Sequence, residues 1–217
     1  MSLAIFDLDN TLLAGDSDVL WGQYLVEKGI VDKDYYSAEN QRFYEEYNNG
    51  SLDILEFLAF SLKPLSEHPR KLLAQWHKEF IETKIQEILL PKAFDLIKMH
   101  KQKGDTLLII TATNRFVTEP IAELLGIPHL LATDPEMIND AYTGRVAGVP
   151  CFQEGKVTRL NSWLSNNNCN LNGSCFYSDS HNDLPLLKLV DRPVVVDADE
   201  TLLEFAQNEG WEIMSLR

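Results

Sequence analysis

The chain has 217 residues, 45% hydrophobic and 24% charged, a balance that supplies a sizeable core without disulfide or structural-metal staples. Lys and Arg total 19 against 33 Asp and Glu, and the net charge of −14 argues against nucleic acid and anionic membranes as partners. The short basic runs at Pro69 to Lys71 and Lys98 to Lys103 carry no interleaved aromatics and read as solvated helix faces. Cys151, Cys169 and Cys175 are odd in number and form no Cys-x-x-Cys pair, which predicts a reducing, cytoplasmic setting and no zinc framework. No signal-peptide pattern precedes Ala4, and no segment approaches the ~18 apolar residues of a membrane helix.

Residues 3–8 predict a short buried strand, apolar on both faces until Asp7 interrupts it. A turn-rich stretch from Asp9 to Asp18 follows. From about Val19 to Leu90 the pattern is helical, with segments near 18–28, 33–48, 52–61 and 67–84 divided by Gly29, Gly50 and Pro64. Leu72, Leu73, Trp76 and Phe80 recur at helical spacing as packing residues, and Trp21 and Tyr24 read the same way. After Pro91 the texture changes. A helix near 92–102 ends before Gly104, a buried strand spans 106–111, and a helix near 116–125 stops at Gly126. Short strands near 129–132, 143–149, 174–178, 193–196 and 211–214 then alternate with helices near 156–165, 183–189 and 199–208. This alternation predicts an α/β fold, a Rossmann-like parallel sheet with helices on both faces. The all-helical run reads as an inserted cap, dividing the chain into a core of 1–15 and 91–217 and a helical cap of 16–90.

Sites in such sheets lie at the carboxyl ends of strands, and four polar clusters fall there. Asp7 and Asp9 close the first strand, Thr111 closes the second, Lys156 opens a helix, and Asp179 and Asp183 follow the strand Cys175 to Ser178. Singly, each is an ordinary turn or capping residue. Together they suit phosphoryl transfer, which needs a nucleophile, charge neutralisation on the phosphate oxygens and an acid for the leaving alkoxide. A carboxylate at Asp7 can form an acyl phosphate, and Asp9, two residues on, can be turned back to handle the proton. Asp7 and Asp179 with a backbone carbonyl offer hard oxygen ligands for Mg²⁺. Lys156, the Thr111 hydroxyl and the neighbouring N–H groups of Ala112 and Thr113 offer donors to phosphate.

The run Phe6 to Leu12, containing Asp7-x-Asp9-x-Thr11, resembles the signature of the haloacid dehalogenase superfamily of phosphohydrolases, and Thr111, Lys156 and Ser178 to Asp183 match its remaining motifs in order. The helical insert, and Thr143 to Val146 ahead of Lys156, are similar to the phosphoserine phosphatase branch, including bacterial members linked to histidinol phosphate hydrolysis. The resemblance implies Asp7 as nucleophile and Asp9 as general acid/base, with Thr111 and Lys156 on the phosphate. It implies a metal site of Asp7, the Asp9 carbonyl and Asp179, supported by Asp183, with Asn182 beside the phosphate or substrate. Two departures bear on the substrate. Ala112-Thr113 replaces the branch's Gly-Gly pair, and Asp16 stands where the branch places a Glu that binds a substrate ammonium. Arg42, the only arginine in the first half of the insert, is the candidate partner for a substrate carboxylate, but not where the branch places one. The expected substrate is therefore a small, amine-bearing phosphate monoester, and the expected assembly a monomer or homodimer. A catalytically idle binder of a phosphorylated metabolite, or a phosphotransferase with an acceptor other than water, are the alternatives. His181 is read equally as pocket wall or loop cap.

Overall fold

The computed structural model describes residues 2–217; residue 1, with which the expected core segment opens, lies outside them. Strand β1 (Leu3–Phe6) is buried at every position, because four consecutive apolar residues are satisfied only in a strand covered on both faces. It pairs in parallel with β2 (Thr106–Asn114) on one side and β5 (Cys175–Ser178) on the other. The remaining strands are β3 (His129–Ile138), β4 (Ala141–Ala147), β6 (Arg192–Val196) and β7 (Glu212–Met214), in the sheet order β4-β3-β2-β1-β5-β6-β7. The chain thus moves outward from β1 in one direction through β2 and β3, then in the other through β5 and β6. That reversal opens a crevice beyond the tips of β1 and β5.

One strand departs from the expected parallel run. β4 is antiparallel to β3, since no helix intervenes between them. Asn139 and Asp140, at φ 50° and 65°, are the two left-handed residues of a tight hairpin turn.

Alternating side chains of β1 serve two cores. Ala4 and Phe6 pack with α7 (Pro91–Lys103) and α8 (Arg115–Leu125), while Leu3 and Ile5 pack with α9 (Glu154–Asn167), α10 (Leu184–Leu187) and α11 (Glu200–Glu209). Both faces of the sheet are therefore covered by helices.

Between β1 and α7 the chain is helical: α1 (Ser17–Glu27), α2 (Lys33–Asn48), α3 (Ile54–Ser61), α4 (Lys63–Glu67), α5 (Arg70–Phe80), a π turn (Ile81–Ile85) and α6 (Gln86–Ile88). Its two ends are tied by an antiparallel bridge between Leu13 and Leu89. Trp21 and Tyr24 are 3% and 1% exposed, and Trp21 packs on Phe80 and Phe116, so both are packing residues joining α1 to the core. Leu58, Leu62, Leu65 and Leu73 form a separate small core against Tyr142 and Val146 of β4. No helix among the described residues is long and apolar enough to cross a membrane.

Candidate active site

Asp7 follows β1 directly and its backbone N–H donates to the Tyr177 carbonyl of β5 at 2.9 Å, which fixes it at the centre of the crevice. The chain then folds back. The N–H groups of Leu12 and Leu13 donate to the Leu8 carbonyl, and Asn10 takes a left-handed φ of 58° that asparagine tolerates. This turn points the Asp9 carboxylate into the crevice, where it accepts from the Ser17 N–H at 2.7 Å and the Thr113 hydroxyl at 2.8 Å. Lys156 enters from the first turn of α9. The preceding Gly155 is required by space: a Cβ there would lie 2.0 Å from the Pro150 carbonyl oxygen. Lys156 Nζ donates to Asp7 Oδ1 at 2.7 Å and is 2.6 Å from Asp183 Oδ1, while Ser178 donates to Asp183 Oδ2 at 2.6 Å. Asp179 accepts from the Thr11 hydroxyl at 2.9 Å.

These side chains line one cavity of about 320 Å³, together with Asp16, Ala112, Thr113 and Asn182. Thr111, nearly fully buried, lines the cavity too; its hydroxyl comes no nearer than 3.5 Å to Asp9 and receives the Thr113 N–H at 3.2 Å. A larger open groove of about 910 Å³ between α5 and α8 shares no residue with this cavity. Arg42 lies outside the cavity. Its guanidinium is bound by Glu39, Glu46 and Glu56, so it is not free to meet a substrate carboxylate. His181 is not part of the wall either; its Nδ1 and its backbone N–H both engage Asp199, holding the loop after β5.

Burial raises Asp7 well above the usual carboxylate range; Lys156 opposes the shift, and Asp183 and Asp179 add to it. Burial also pushes Asp179 up to about 7, against the Thr11 hydrogen bond. Lys156 itself is disfavoured by burial, but Asp183 and Asp7 overcome this and hold its ammonium well above the ordinary lysine value. One lysine thus faces three buried carboxylates, an imbalance that a divalent cation would relieve. The donor set fits Mg²⁺, whose preferred ligands are a few carboxylate and carbonyl oxygens completed by water. Among the described residues, no three His, Cys, Asp or Glu side chains converge as a closed metal cage. The expected set needs fewer, because Asp9 would contribute its carbonyl while its carboxylate is held by Ser17 and Thr113.

On the insert side of the cavity stand Asp16 and Asp18. Asp16 caps α1, accepting from the N–H groups of Asp18 and Val19 at 2.9 and 3.0 Å. Burial and the nearby Asp9 raise it to about 7; burial, Asp16 and Asp9 raise Asp18 to about 8. Phe43, Tyr44, Tyr47 and Phe57 supply aromatic lining to the same cavity. Tyr47 donates to the Ser180 hydroxyl at 2.9 Å, and Asn182 Nδ2 reaches the Tyr47 carbonyl at 3.4 Å, bridging α2 to the loop after β5. Asp18, Tyr47 and Ser180 were not singled out by sequence reasoning. The Asp-Ser-Asp spacing of residues 16–18 was the one local signal for Asp18; for Tyr47 there was none.

A mostly parallel α/β sheet in this order gathers carboxylates at the tips of β1 and β5, the arrangement expected of a phosphohydrolase. Residues 4–188 match the haloacid dehalogenase-like hydrolases, and the chain belongs to that family, as an enzyme of its phosphatase class. It is 44% identical over 220 residues to the histidinol-phosphatase of Neisseria meningitidis serogroup C (strain 8013), covering 100% of this chain and 99% of that protein. A crystal structure of a protein of unknown function from Bordetella pertussis Tohama I is similar at 43% identity and a TM-score of 0.94, covering 100% and 99% of the two chains. A phospho-aspartyl intermediate analogue of phosphoserine phosphatase shares the fold, with a TM-score of 0.71 at 19% identity over 100% and 93% of the chains.

Proposed function

We propose that the chain hydrolyses a small, amine-bearing phosphate monoester with Mg²⁺ through a phosphorylated Asp7. The observation that carries this reading is the convergence of Asp7, Asp9 and Lys156 on one cavity, with the lysine ammonium 2.7 Å from Asp7 Oδ1. Asp7 attacks phosphorus, and the bond from phosphorus to the alkoxide oxygen breaks with its electron pair passing to that oxygen. Asp9, whose pKa burial raises against its hydrogen bonds to Ser17 and Thr113, supplies the alkoxide with a proton. In the second half Asp9 takes a proton from water, whose oxygen attacks phosphorus and releases Asp7 and inorganic phosphate. Lys156, Thr111 and the N–H groups of Ala112 and Thr113 hold the phosphate oxygens, and Asn182 lies beside them. Asp7, the Asp9 carbonyl and Asp179, with Asp183 behind, would hold Mg²⁺, which would supply neutralisation of the phosphate charge.

In this reading residues 16–90 act as a helical cap over a core of 1–15 and 91–217, with α2 closing one side of the cavity. The 44% identity to a protein named histidinol-phosphatase supports an amino-alcohol phosphate, with histidinol phosphate the first candidate. Asp16, half-buried and without a cationic partner among the described residues, supports the same choice. The cytoplasm, with no nucleic acid or membrane partner and as monomer or homodimer, is the setting we infer from charge and cysteine usage. The test is Asp7→Asn assayed with 4-nitrophenyl phosphate and Mg²⁺. Activity should fall by at least about a thousandfold with the circular dichroism spectrum unchanged. Full activity in that variant would remove Asp7 as the nucleophile.

A further inference from the structure

Eight aspartates line the active-site cavity, and seven of them have an evident occupation within the fold. Asp7 and Asp183 hold Lys156, Asp9 and Asp16 accept backbone N–H groups at the start of α1, and Asp179 accepts from Thr11. Asp197 and Asp199 accept backbone N–H groups of Leu216 and Leu202. Asp18 differs. Its one hydrogen bond comes from a neutral carboxamide, Asn114 Nδ2, at 3.2 Å, and among the described residues it has no cation, hydroxyl or backbone N–H partner.

An acidic residue in the first turn of a helix is ordinarily explained by the helix dipole. That explanation would serve equally with the side chain in water, whereas Asp18 is half-buried and lines the cavity, where burial first and then Asp16 and Asp9 raise its pKa to about 8. Placing it there is unfavourable until a cation arrives. Asn114, 1% exposed, also caps α8 through Val117, so the carboxamide that orients Asp18 is itself fixed. Phe43 and Phe57, which line the same cavity, pack edge to face at 5.3 Å and present apolar surface suited to a flat ring. Neither cation lining the cavity is bonded to Asp18: Lys156 is held by Asp7 and Asp183, and the exposed Arg217 guanidinium donates to the Asn10 carbonyl at 3.4 Å.

We propose that Asp18 is a specificity-determining residue whose carboxylate receives a second basic nitrogen on the alcohol part of the substrate. The site then selects phosphate monoesters with two basic nitrogens, one for Asp16 and one for Asp18, over those with one or none. This inference rests on the phosphatase reading above and assigns to Asp18 a role distinct from the chemistry at phosphorus. A charge-assisted hydrogen bond in an enclosed site is strong enough to discriminate between such esters.

The test is steady-state kinetics of wild type, Asp18→Asn and Asp18→Glu on three Mg²⁺-supported substrates. Histidinol phosphate has two basic nitrogens, phosphoethanolamine one and 4-nitrophenyl phosphate none. In Asp18→Asn the rise in KM for histidinol phosphate should exceed the rise for the other two by roughly ten- to a hundredfold, with kcat changing by less than about threefold. Asp18→Glu, which keeps the charge, should recover part of the preference. Equal losses on all three esters would assign Asp18 to the fold and overturn the inference. So would a wild type that cleaves all three without preference, and in both cases the phosphatase reading would stand. A wild type inactive on every ester would overturn both.

Discussion

Asp9 and Asp16 lie seven residues apart at the same turn, and each is built for a different duty. Asp9 has both oxygens engaged, by Ser17 and Thr113, yet burial still raises its pKa, which favours a group that gains and loses a proton in each turnover. Replacing Asp9 with Asn keeps the shape and removes the proton. Hydrolysis of the acyl phosphate should slow by about a hundredfold or more, and rapid quenching with mass spectrometry should find the adduct on Asp7; its absence would refute the proton role. Asp18 gives a stability prediction of definite sign. With the folded pKa near 8 and the unfolded value near 3.8, the native state binds the additional proton throughout that interval. Stability is therefore greatest below pH 4 as far as this group is concerned, and falls as pH rises towards 8. In Asp18→Asn this component vanishes, so the melting temperature lost between pH 5 and pH 8 should shrink by the equivalent of about 1 kcal/mol or more. An unchanged loss would count against a buried, unpaired carboxylate.

Short elements carry most of the positional accuracy. β1 contributes four buried residues and no polar side chain, yet its pairing to β2 and β5 sets the direction of Asp7. The segment Pro150 to Gly155 does the same for Lys156. Gln153 has the unusual φ of 45° and donates to Asn182, and Gly155 passes against the Pro150 carbonyl where no side chain fits. Gly155→Ala must push α9 or this loop aside. It should cost about 1–3 kcal/mol in denaturant unfolding and reduce kcat/KM by misplacing the ammonium. An alanine variant with wild-type stability and activity would contradict the close approach. The insert is anchored by elements as well: the Leu13–Leu89 bridge ties its ends, His77 Nε2 meets the Val117 carbonyl at 3.1 Å, and Tyr47 reaches Ser180.

Taken as a whole, the molecule carries a charge of −14 and handles an anionic group in its class of chemistry. Long-range repulsion slows the approach of a phosphate ester, and only a cation bound beside Lys156 would reverse the local field. Added salt should therefore help. Between about 10 and 150 mM ionic strength the Debye length falls from roughly 30 to 8 Å, and kcat/KM for 4-nitrophenyl phosphate should rise severalfold. An ester that carries its own cationic nitrogens should respond less. A fall for both esters would indicate that local cations, rather than the overall charge, govern encounter.

The periodicity of apolar residues and the placement of Gly and Pro are local properties of the chain, and from them the alternating strands and helices, the helical insert and the polar strand tips were all legible. The order of Asp7, Asp9, Thr111, Lys156, Asp179 and Asp183 could be aligned with a family pattern for the same reason. Both β3 and β4 were expected as strands, but their antiparallel pairing escaped, although the Asn139-Asp140 pair is a hairpin signal, because 143–149 resembled one more strand of a parallel run. Arg42 and Asp18 were beyond reach in a stronger sense. Both are charged residues on helices of the insert; Glu39 and Glu46, three and four residues from Arg42, already hint at a surface ion pair, but neither Glu56 as its third partner nor the cavity facing Asp18 follows from local spacing. That choice follows from how α1 docks through Trp21 on Phe80 and Phe116 and how α2 docks through Tyr47 on Ser180 and Asn182, contacts between residues tens of positions apart. Chain-local chemistry sets which groups are present at each turn, whereas burial and the company a carboxylate keeps arise only once distant segments pack.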